Sequence, residues 1–348
     1  MKPRRNEFLL NLGHRRRGNG LDCAGGWLKT APNRRNLALM KIMRPLVRLF
    51  ACAGAAVTLA AQTTPTATPG IRAPGAELVE LSGDLQFAEG PTCDPAGNVF
   101  FTDQPNNRIM KWSLDGKLSV FLQPAGHANG MNFDPHGNLI ACADEKTEVW
   151  SIAPDGAHTV LAHEYNGKPL NGPNDVWVRP DGGMYLTDCY DHRAYWSYNQ
   201  RPQDSEEVYF LAADHKALQR ATTNLNHPNG IVGTPDGRTL FVSDMRPAPG
   251  STWAYDSQPD GALTNRRFLC AFASDGMTLD NEGNLYMTGA AGVTVFDKTG
   301  KKIDAIPVQE RWTGNVCFGG NDRQTLFITA SKGLYSIRLR VKGANPTK

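Results

Sequence analysis

The chain has 348 residues, 40% of them hydrophobic, which is enough to bury a sizeable core and too many for a disordered polypeptide. Its formal net charge of +3 hides an uneven split: twelve Lys/Arg but only Glu7 and Asp22 precede Leu49, leaving 25 basic against 32 acidic groups beyond it, about −7. An acidic main body offers no broad surface that neutralises phosphates, so a nucleic-acid partner is excluded.

At the N-terminal end, Lys41, Arg44 and Arg48 flank an apolar run from Leu49 to Ala61 that ends in small residues, and the stretch TTPTATPG follows. This pattern predicts a leader over residues 1–61 that contains a signal peptide at about 40–61, then a Thr/Pro-rich linker over 62–75. The apolar run is shorter than the roughly 20 residues of a membrane span, so the cleaved chain is expected to be periplasmic or secreted and not integral to a membrane. Beyond the leader the cysteines Cys93, Cys142, Cys189, Cys270 and Cys317 are isolated, odd in number and free of any CxxC pair. They read as packing residues, and their spacing speaks against a zinc–thiolate site.

From Leu78 onward, short runs of Val, Phe, Tyr, Leu and Thr alternate with Pro/Asp/Gly/Asn turns, an all-β pattern. One phrase recurs: DPAGNVFFTD, DPHGNLIACAD, RPDGGMYLTD, TPDGRTLFVSD, DNEGNLYMTG and GGNDRQTLFITA. Its turn positions, Gly97, Gly137, Gly182, Gly237, Gly283 and Asp322, recur at roughly 40 to 55 residues, the period range of propeller blades. Each phrase is a hairpin, and a second hairpin such as RIMKWSLDGKLSVFL follows it, so two hairpins make a four-stranded blade. The prediction is a six-bladed β-propeller over 76–340 with a short tail at 341–348. The last repeat is one strand short, and AELVEL at 76–81 is expected to supply that strand and close the ring.

Eight residues before each turn glycine stand Glu89, Asn129, Asn174, Asn229 and Asp275, each followed by Gly or Asp; in the sixth repeat the nearest candidate is Asn315. The first strand of a propeller blade lines the axis, so one shared register becomes a ring of polar groups. An Asn-Gly or Asp-Gly pair alone is ordinary turn chemistry. Five in one register, with two carboxylates and no histidine among them, form an all-oxygen set suited to one divalent metal ion. Ca²⁺ fits such a set best, with Mg²⁺, Mn²⁺ and Zn²⁺ as alternatives. Asp103, Asp188 and Asp244, which close their strands after Thr or Ser, are expected to cap neighbouring blades, and His136 is expected to be a solvated turn residue.

The phrases AEGPTCDPAGNVFFTD, HANGMNFDPHGNLIACAD, NGPNDVWVRPDGGMYLTD, HPNGIVGTPDGRTLFVSD and SDGMTLDNEGNLYMTG resemble the SMP-30/gluconolactonase/LRE-like family, especially its bacterial gluconolactonases. The resemblance runs from about Phe87 to Arg338 and implies a single catalytic divalent metal. Motif by motif, its ligands fall on Glu89, Asn174, Asn229 and Asp275, and Asn129 falls where the family often contacts substrate. Two departures stand out. Gly172 replaces an expected Ser, and Cys189 replaces a common Pro; neither is a ligand position, and both bear on the substrate rim.

The expected activity is metal-dependent opening of a sugar lactone to the aldonic acid. Asp275 would act as ligand and general base, with Asn129, Asn174 and His127 contacting substrate. Tyr190, Asp191, His192, Arg193 and Trp312 lie in loops near the ring. No Gly-x-Ser-x-Gly elbow is present, which removes a serine esterase mechanism. Two alternatives share the same metal site: a propeller esterase or phosphotriesterase, and a non-catalytic ligand-binding propeller with a structural metal.

Overall fold

The computed structural model describes residues 70–344. The leader with its signal peptide, residues 62–69 of the linker and residues 345–348 of the tail lie outside the described residues. Among the described residues, no helix is long and apolar enough to cross a membrane.

Six four-stranded antiparallel sheets form the blades, here I to VI. Blade I runs Ala88–Cys93, Val99–Asp103, Arg108–Trp112 and Leu118–Leu122, from innermost to outermost. The innermost strands of the next four blades are Ala128–Phe133, Pro173–Val178, Pro228–Gly233 and Met277–Leu279. Blade VI takes Thr313–Gly319, Thr325–Ala330 and Gly333–Arg338 from the end of the chain and Val79–Ser82 from its beginning. That last pair is antiparallel, with Val79 opposite Ser336 and Glu80 opposite Tyr335. The expected closure is therefore observed, and its pairing extends further: Arg72 bridges to Leu339, and the Arg340 N–H donates to the Ile71 carbonyl at 2.9 Å. The innermost strands contact one another in cyclic order, ending where Thr313–Gly319 meets Ala88–Cys93.

The core has no single centre. Six apolar clusters fill the six gaps between neighbouring blades, for example Phe100, Ile109, Met131, Phe133 and Leu139 between blades I and II. The five cysteines of the described residues are free and buried; Cys93, Cys142, Cys270 and Cys317 lie in these clusters, as packing residues should, whereas Cys189 belongs to none of them. The repeated turn is held by its own side chains. Asp94 Oδ1 accepts the N–H groups of Gly97 and Asn98 at 2.8 and 2.9 Å, and Asp280 accepts those of Glu282 and Asn284 at 2.9 Å. His136 is exposed in such a turn.

The strand-ending aspartates cap their own blades instead of their neighbours. Asp103 accepts the N–H groups of Gln86 and Phe87, Asp188 those of Asn171 and Gly172, and Asp244 those of Asn226 and His227. In each case the acceptor sits at the end of the second strand and the donors lie just before the first strand of the same blade. The carboxylate thus pins the chain as it comes into the ring. Blade II has Ala143 at this place, and Asn107 Oδ1 takes over by accepting from Ala125 and His127 at 2.8 Å.

Arg108 pairs with Asp103 at 2.8 Å, whereas no salt bridge to Asp188 exists among the described residues. Burial pushes the Asp188 carboxyl up to about 7 despite its two backbone donors, and the charges of Asp144 and Glu206 add to the rise. An unfolded aspartate titrates near 4, so between about pH 4 and about pH 7 the folded chain keeps a proton that the unfolded chain gives up. Asp188 therefore makes stability fall as the pH rises through that window. Carboxyl ¹³C shifts should place its midpoint about three units above an exposed aspartate, and the Asp188→Asn chain should lose part of the slope in a pH series of urea midpoints.

Candidate functional site

In blades I to IV the register residue is the second of its innermost strand: Glu89, Asn129, Asn174 and Asn229. Asp275 lies two residues before Met277–Leu279. At this point the ladder breaks. The register shifts between Glu89 and Thr92, Ala128 and Met131, Pro173 and Val176, and Pro228 and Ile231. A bulge re-aims side chains and frees backbone groups. The freed N–H groups of Asp175, Gly276 and Asn315 are taken by the hydroxyls of Thr187, Thr288 and Thr329 at 3.0, 2.9 and 3.1 Å. The Thr of TD, TG and TA in the repeated phrase thus has a defined task.

Glu89, Asn129, Asn174, Asn229 and Asp275 line one cavity of about 440 Å³. Blade VI departs from the expectation. Eight residues before Asp322 stands Gly314, and a Cβ there would collide with Glu89 Oε1. Asn315 lies one position further along, on a smaller cavity of about 60 Å³ that it shares with Asp175. The ring therefore has five side chains and one gap, and Glu89 reaches into the gap.

Four of the five are buried, with relative exposures of 3% for Glu89 and 6% for each asparagine, while Asp275 is half-buried. Burial pushes Glu89 well up from the usual carboxylate range, the charge of Asp275 pushes it further, and the Gly90 N–H at 3.1 Å only partly offsets this. Burial likewise raises Asp275, against hydrogen bonds from Trp312 and Asn229. The Trp312 indole Nε1–H donates to Asp275 Oδ2 at 2.5 Å. Asn229 Oδ1 is buried with no hydrogen-bond partner. Two mutually repelling carboxylates and an unpartnered amide oxygen share this cavity with no salt bridge to either carboxylate among the described residues, and a hard divalent cation is a group they fit.

The cavity wall adds Phe87, Gln104, Asp191, Arg193, His227, Met245, Arg246, Ala248 and Trp312. Asp191 and Arg193 of this wall come from residues 189–206, the long connection between the second and third strands of blade III. Asp144 of blade II anchors it, accepting from Arg193 Nε at 3.0 Å and from the Tyr195 hydroxyl at 2.7 Å. Trp196 donates from Nε1 to the Asp144 carbonyl at 2.8 Å, and a Cβ at position 172 would come within 2.7 Å of its ring. Gly172 is thus what lets the loop close down.

His227 donates toward Glu206 Oε2 from Nδ1 at 2.6 Å and toward Asp191 Oδ2 from Nε2 at 3.2 Å. Burial opposes its positive charge, yet hydrogen bonds to Asp191, Cys189 and Glu206 hold it up at about 12. Donor atoms of Cys189, Asp191 and His227 all lie within 4.8 Å of one another.

Asp191, Arg193 and Trp312 are among the loop residues expected near the ring that do reach the cavity; Tyr190 and His192 do not line it. His127 does not line it either, although it precedes Asn129 by two residues as His227 precedes Asn229. An extended strand would place residues i and i+2 on one face. The φ of 47° at His127 breaks that run, and its ring stacks on Tyr195 at 4.1 Å and contacts the Gln104 carbonyl through Nδ1 at 2.8 Å. The i, i+2 relation to Asn229 is the signal that would have pointed to His227.

A family profile described as the SMP-30/Gluconolactonase/LRE-like region matches residues 87–332. A gluconolactonase of Zymomonas mobilis is 30% identical over 297 residues, covering 76% of this chain and 81% of that protein. A solved structure of a gluconolactonase from Xanthomonas campestris superposes with a TM-score of 0.72 at 30% identity, over 77% of this chain and 91% of that one. The calcium-binding protein regucalcin of Agrobacterium tumefaciens shares the fold, with a TM-score of 0.64 at 18% identity over 77% of this chain and 95% of that one. With its six blades, its five-membered polar ring and a match spanning most of the propeller, the chain belongs to the SMP-30/gluconolactonase/LRE-like family.

Proposed function

We propose that this chain is an exported, divalent-metal-dependent lactonase that opens an aldonolactone to the aldonic acid. The observation that carries this reading is the pair of carboxylates, buried Glu89 and half-buried Asp275, lining one cavity of about 440 Å³ with the unpartnered Asn229 Oδ1. The relatives described as gluconolactonases support the substrate class. The N-terminal charge and apolar pattern supports the periplasmic or secreted location.

Glu89, Asn174, Asn229 and Asp275 would hold the ion, with Ca²⁺ preferred because every donor is an oxygen. When bound, the ion supplies Lewis acidity toward the lactone carbonyl and acidifies a water. The side chains do the rest. Asp275 takes a proton from the attacking water; Trp312 fixes its Oδ2, which keeps the carboxylate from turning away. As the ring C–O bond breaks, the Asp275 carboxyl returns that proton to the departing alkoxide, so no net proton is needed at this step. The amides of Asn129 and Asn174 orient the lactone oxygens. Phe87 and Trp312 offer apolar faces for the C–H edges of a sugar ring, while Arg193 offers a donor and the Gln104 amide oxygen an acceptor for its hydroxyls.

Four outcomes are expected. Chelation abolishes aldonolactone hydrolysis and Ca²⁺ restores it, and Asp275→Asn lowers kcat by about 10²- to 10⁴-fold while calorimetry still shows ion binding. Inactivity on every aldonolactone tried with Ca²⁺, Mg²⁺, Mn²⁺ or Zn²⁺, or faster turnover of a phosphotriester, rejects the reading. In thermal melts, Ca²⁺ at a hundredfold excess over its Kd adds about 2.7 kcal/mol of stability, and Glu89→Gln removes most of that gain. Gly314→Ala, which drives a methyl group into the Glu89 carboxylate, weakens Ca²⁺ binding more than Gly137→Ala, where the added Cβ meets open space.

A further inference from the structure

The wall of the cavity carries a donor set of a different kind from the ring. Cys189 directly follows the cap Asp188 at the end of the second strand of blade III, Asp191 lies two residues on, and His227 stands just before the innermost strand of blade IV. Cys189 and His227 are buried, at 2% and 4% relative exposure, and donor atoms of all three residues lie within 4.8 Å of one another. Behind them Glu206, itself buried, contacts His227 Nδ1 at 2.6 Å. Glu206 is positioned in turn by the Tyr190 N–H at 3.2 Å and by Arg201 at 3.6 Å. A carboxylate that fixes Nδ1–H leaves Nε2 as the free donor and makes it more basic, the arrangement found behind metal-bound histidines.

We propose that Cys189, Asp191 and His227 form a second cation site, separate from the all-oxygen ring, that takes a zinc-class divalent ion.

The donor chemistry sets the ion class. A thiolate, an imidazole and a carboxylate suit Zn²⁺ or Co²⁺, whereas Ca²⁺ avoids sulfur and nitrogen. The spacing agrees. A tetrahedral site with bonds of about 2.0 Å has ligand-to-ligand edges of about 3.3 Å, and Asp191 Oδ2 stands 3.2 Å from His227 Nε2. The ion replaces the proton now shared between those two atoms. Binding expels one proton from His227 Nε2 and one from the Cys189 thiol, while Nδ1 keeps its proton on Glu206. Thiolate and carboxylate then balance the two positive charges. Three protein ligands leave a fourth position open, as in catalytic zinc sites. Asp191 and His227 also line the substrate cavity, so that position gives onto it. Two ions of unlike chemistry would then flank one substrate.

The proposal does not depend on the lactonase reading, and its test does not use turnover. The full chain, with Ca²⁺ in excess to fill the ring, is titrated with Co²⁺ alone. A thiolate-to-cobalt charge-transfer band in the near ultraviolet is expected, saturating at one equivalent per chain. Cys189→Ser abolishes the band without changing the far-ultraviolet circular dichroism, whereas Cys93→Ser leaves it intact. Asp191→Asn, at a half-exposed position where folding is not at stake, weakens Co²⁺ binding by about tenfold or more, the scale on which even an outer partner's loss is felt. Absence of the band overturns the proposal. So does a band that persists in Cys189→Ser, which would assign it to another cysteine, and so does an unchanged Co²⁺ affinity in Asp191→Asn.

Discussion

Glu89 and Asp275 belong to different blades, yet they share one cavity, buried Glu89 beside half-buried Asp275, and the charge of Asp275 adds to the rise that burial gives the Glu89 carboxyl. Burying two like charges together is among the costliest arrangements a fold can hold, and it persists only where something compensates. Much of the site reads as that compensation. The Gly90 N–H and the Trp312 indole donate to the two carboxylates, and Asn229 turns its amide hydrogens toward Asp275 with its oxygen left over. What the protein atoms leave unbalanced is negative charge and an acceptor, which is the signature of a place built for a cation.

The ring can exist only because the backbone around it is unusually well supported. Each bulge gives up ladder hydrogen bonds, and a buried N–H left alone costs about 1–3 kcal/mol. Threonine hydroxyls on the second strands restore the balance at Asp175, Gly276 and Asn315. The same hydroxyls tie neighbouring blades together: Thr102 donates to the Asn129 carbonyl and Thr288 to that of Gly314, at 3.2 and 2.7 Å. Glycine following a ring residue then serves close approach. At Gly90, where φ is 45°, a side chain would strike the Asn129 carbonyl of the next blade. Side-chain register, blade spacing and site geometry are therefore one problem with one solution.

Gly172 and Cys189, the two positions singled out by the sequence resemblance, meet at the same loop. Gly172 makes room for Trp196, which helps lay residues 189–206 against Asp144. Cys189 begins that loop and brings a thiol beside Asp191 and His227. The rim is also where the acidic character becomes structured: Asp144 and Asp191 are matched there by Arg193 and Arg246.

Repetition made the fold legible. Six turn phrases at blade spacing, with one extra strand before the first and a last repeat one strand short, leave little besides a closed ring, and a polar residue at fixed distance from each turn glycine then has a common address. Those are local, periodic facts, and the chain determines them without help from distant residues. The rest depended on neighbours that no spacing reveals. Gly314, not Asn315, occupies the sixth register position, because room had to be left for Glu89 arriving from blade I. His127 and His227 stand at equivalent positions in their repeats, but a left-handed φ turns one onto Tyr195 while the other reaches the cavity. The aspartate caps could be seen as hydrogen-bonding groups, but which blade they served was decided by where the connecting loops fold back. Isolated cysteines looked inert by sequence because a thiol finds its partners through the loop that carries them. Sequence period determined the ring and its polar register; contacts between blades decided which side chains turn inward, what charge they carry and what they can hold, because burial and electrostatic coupling are properties of the assembled neighbourhood.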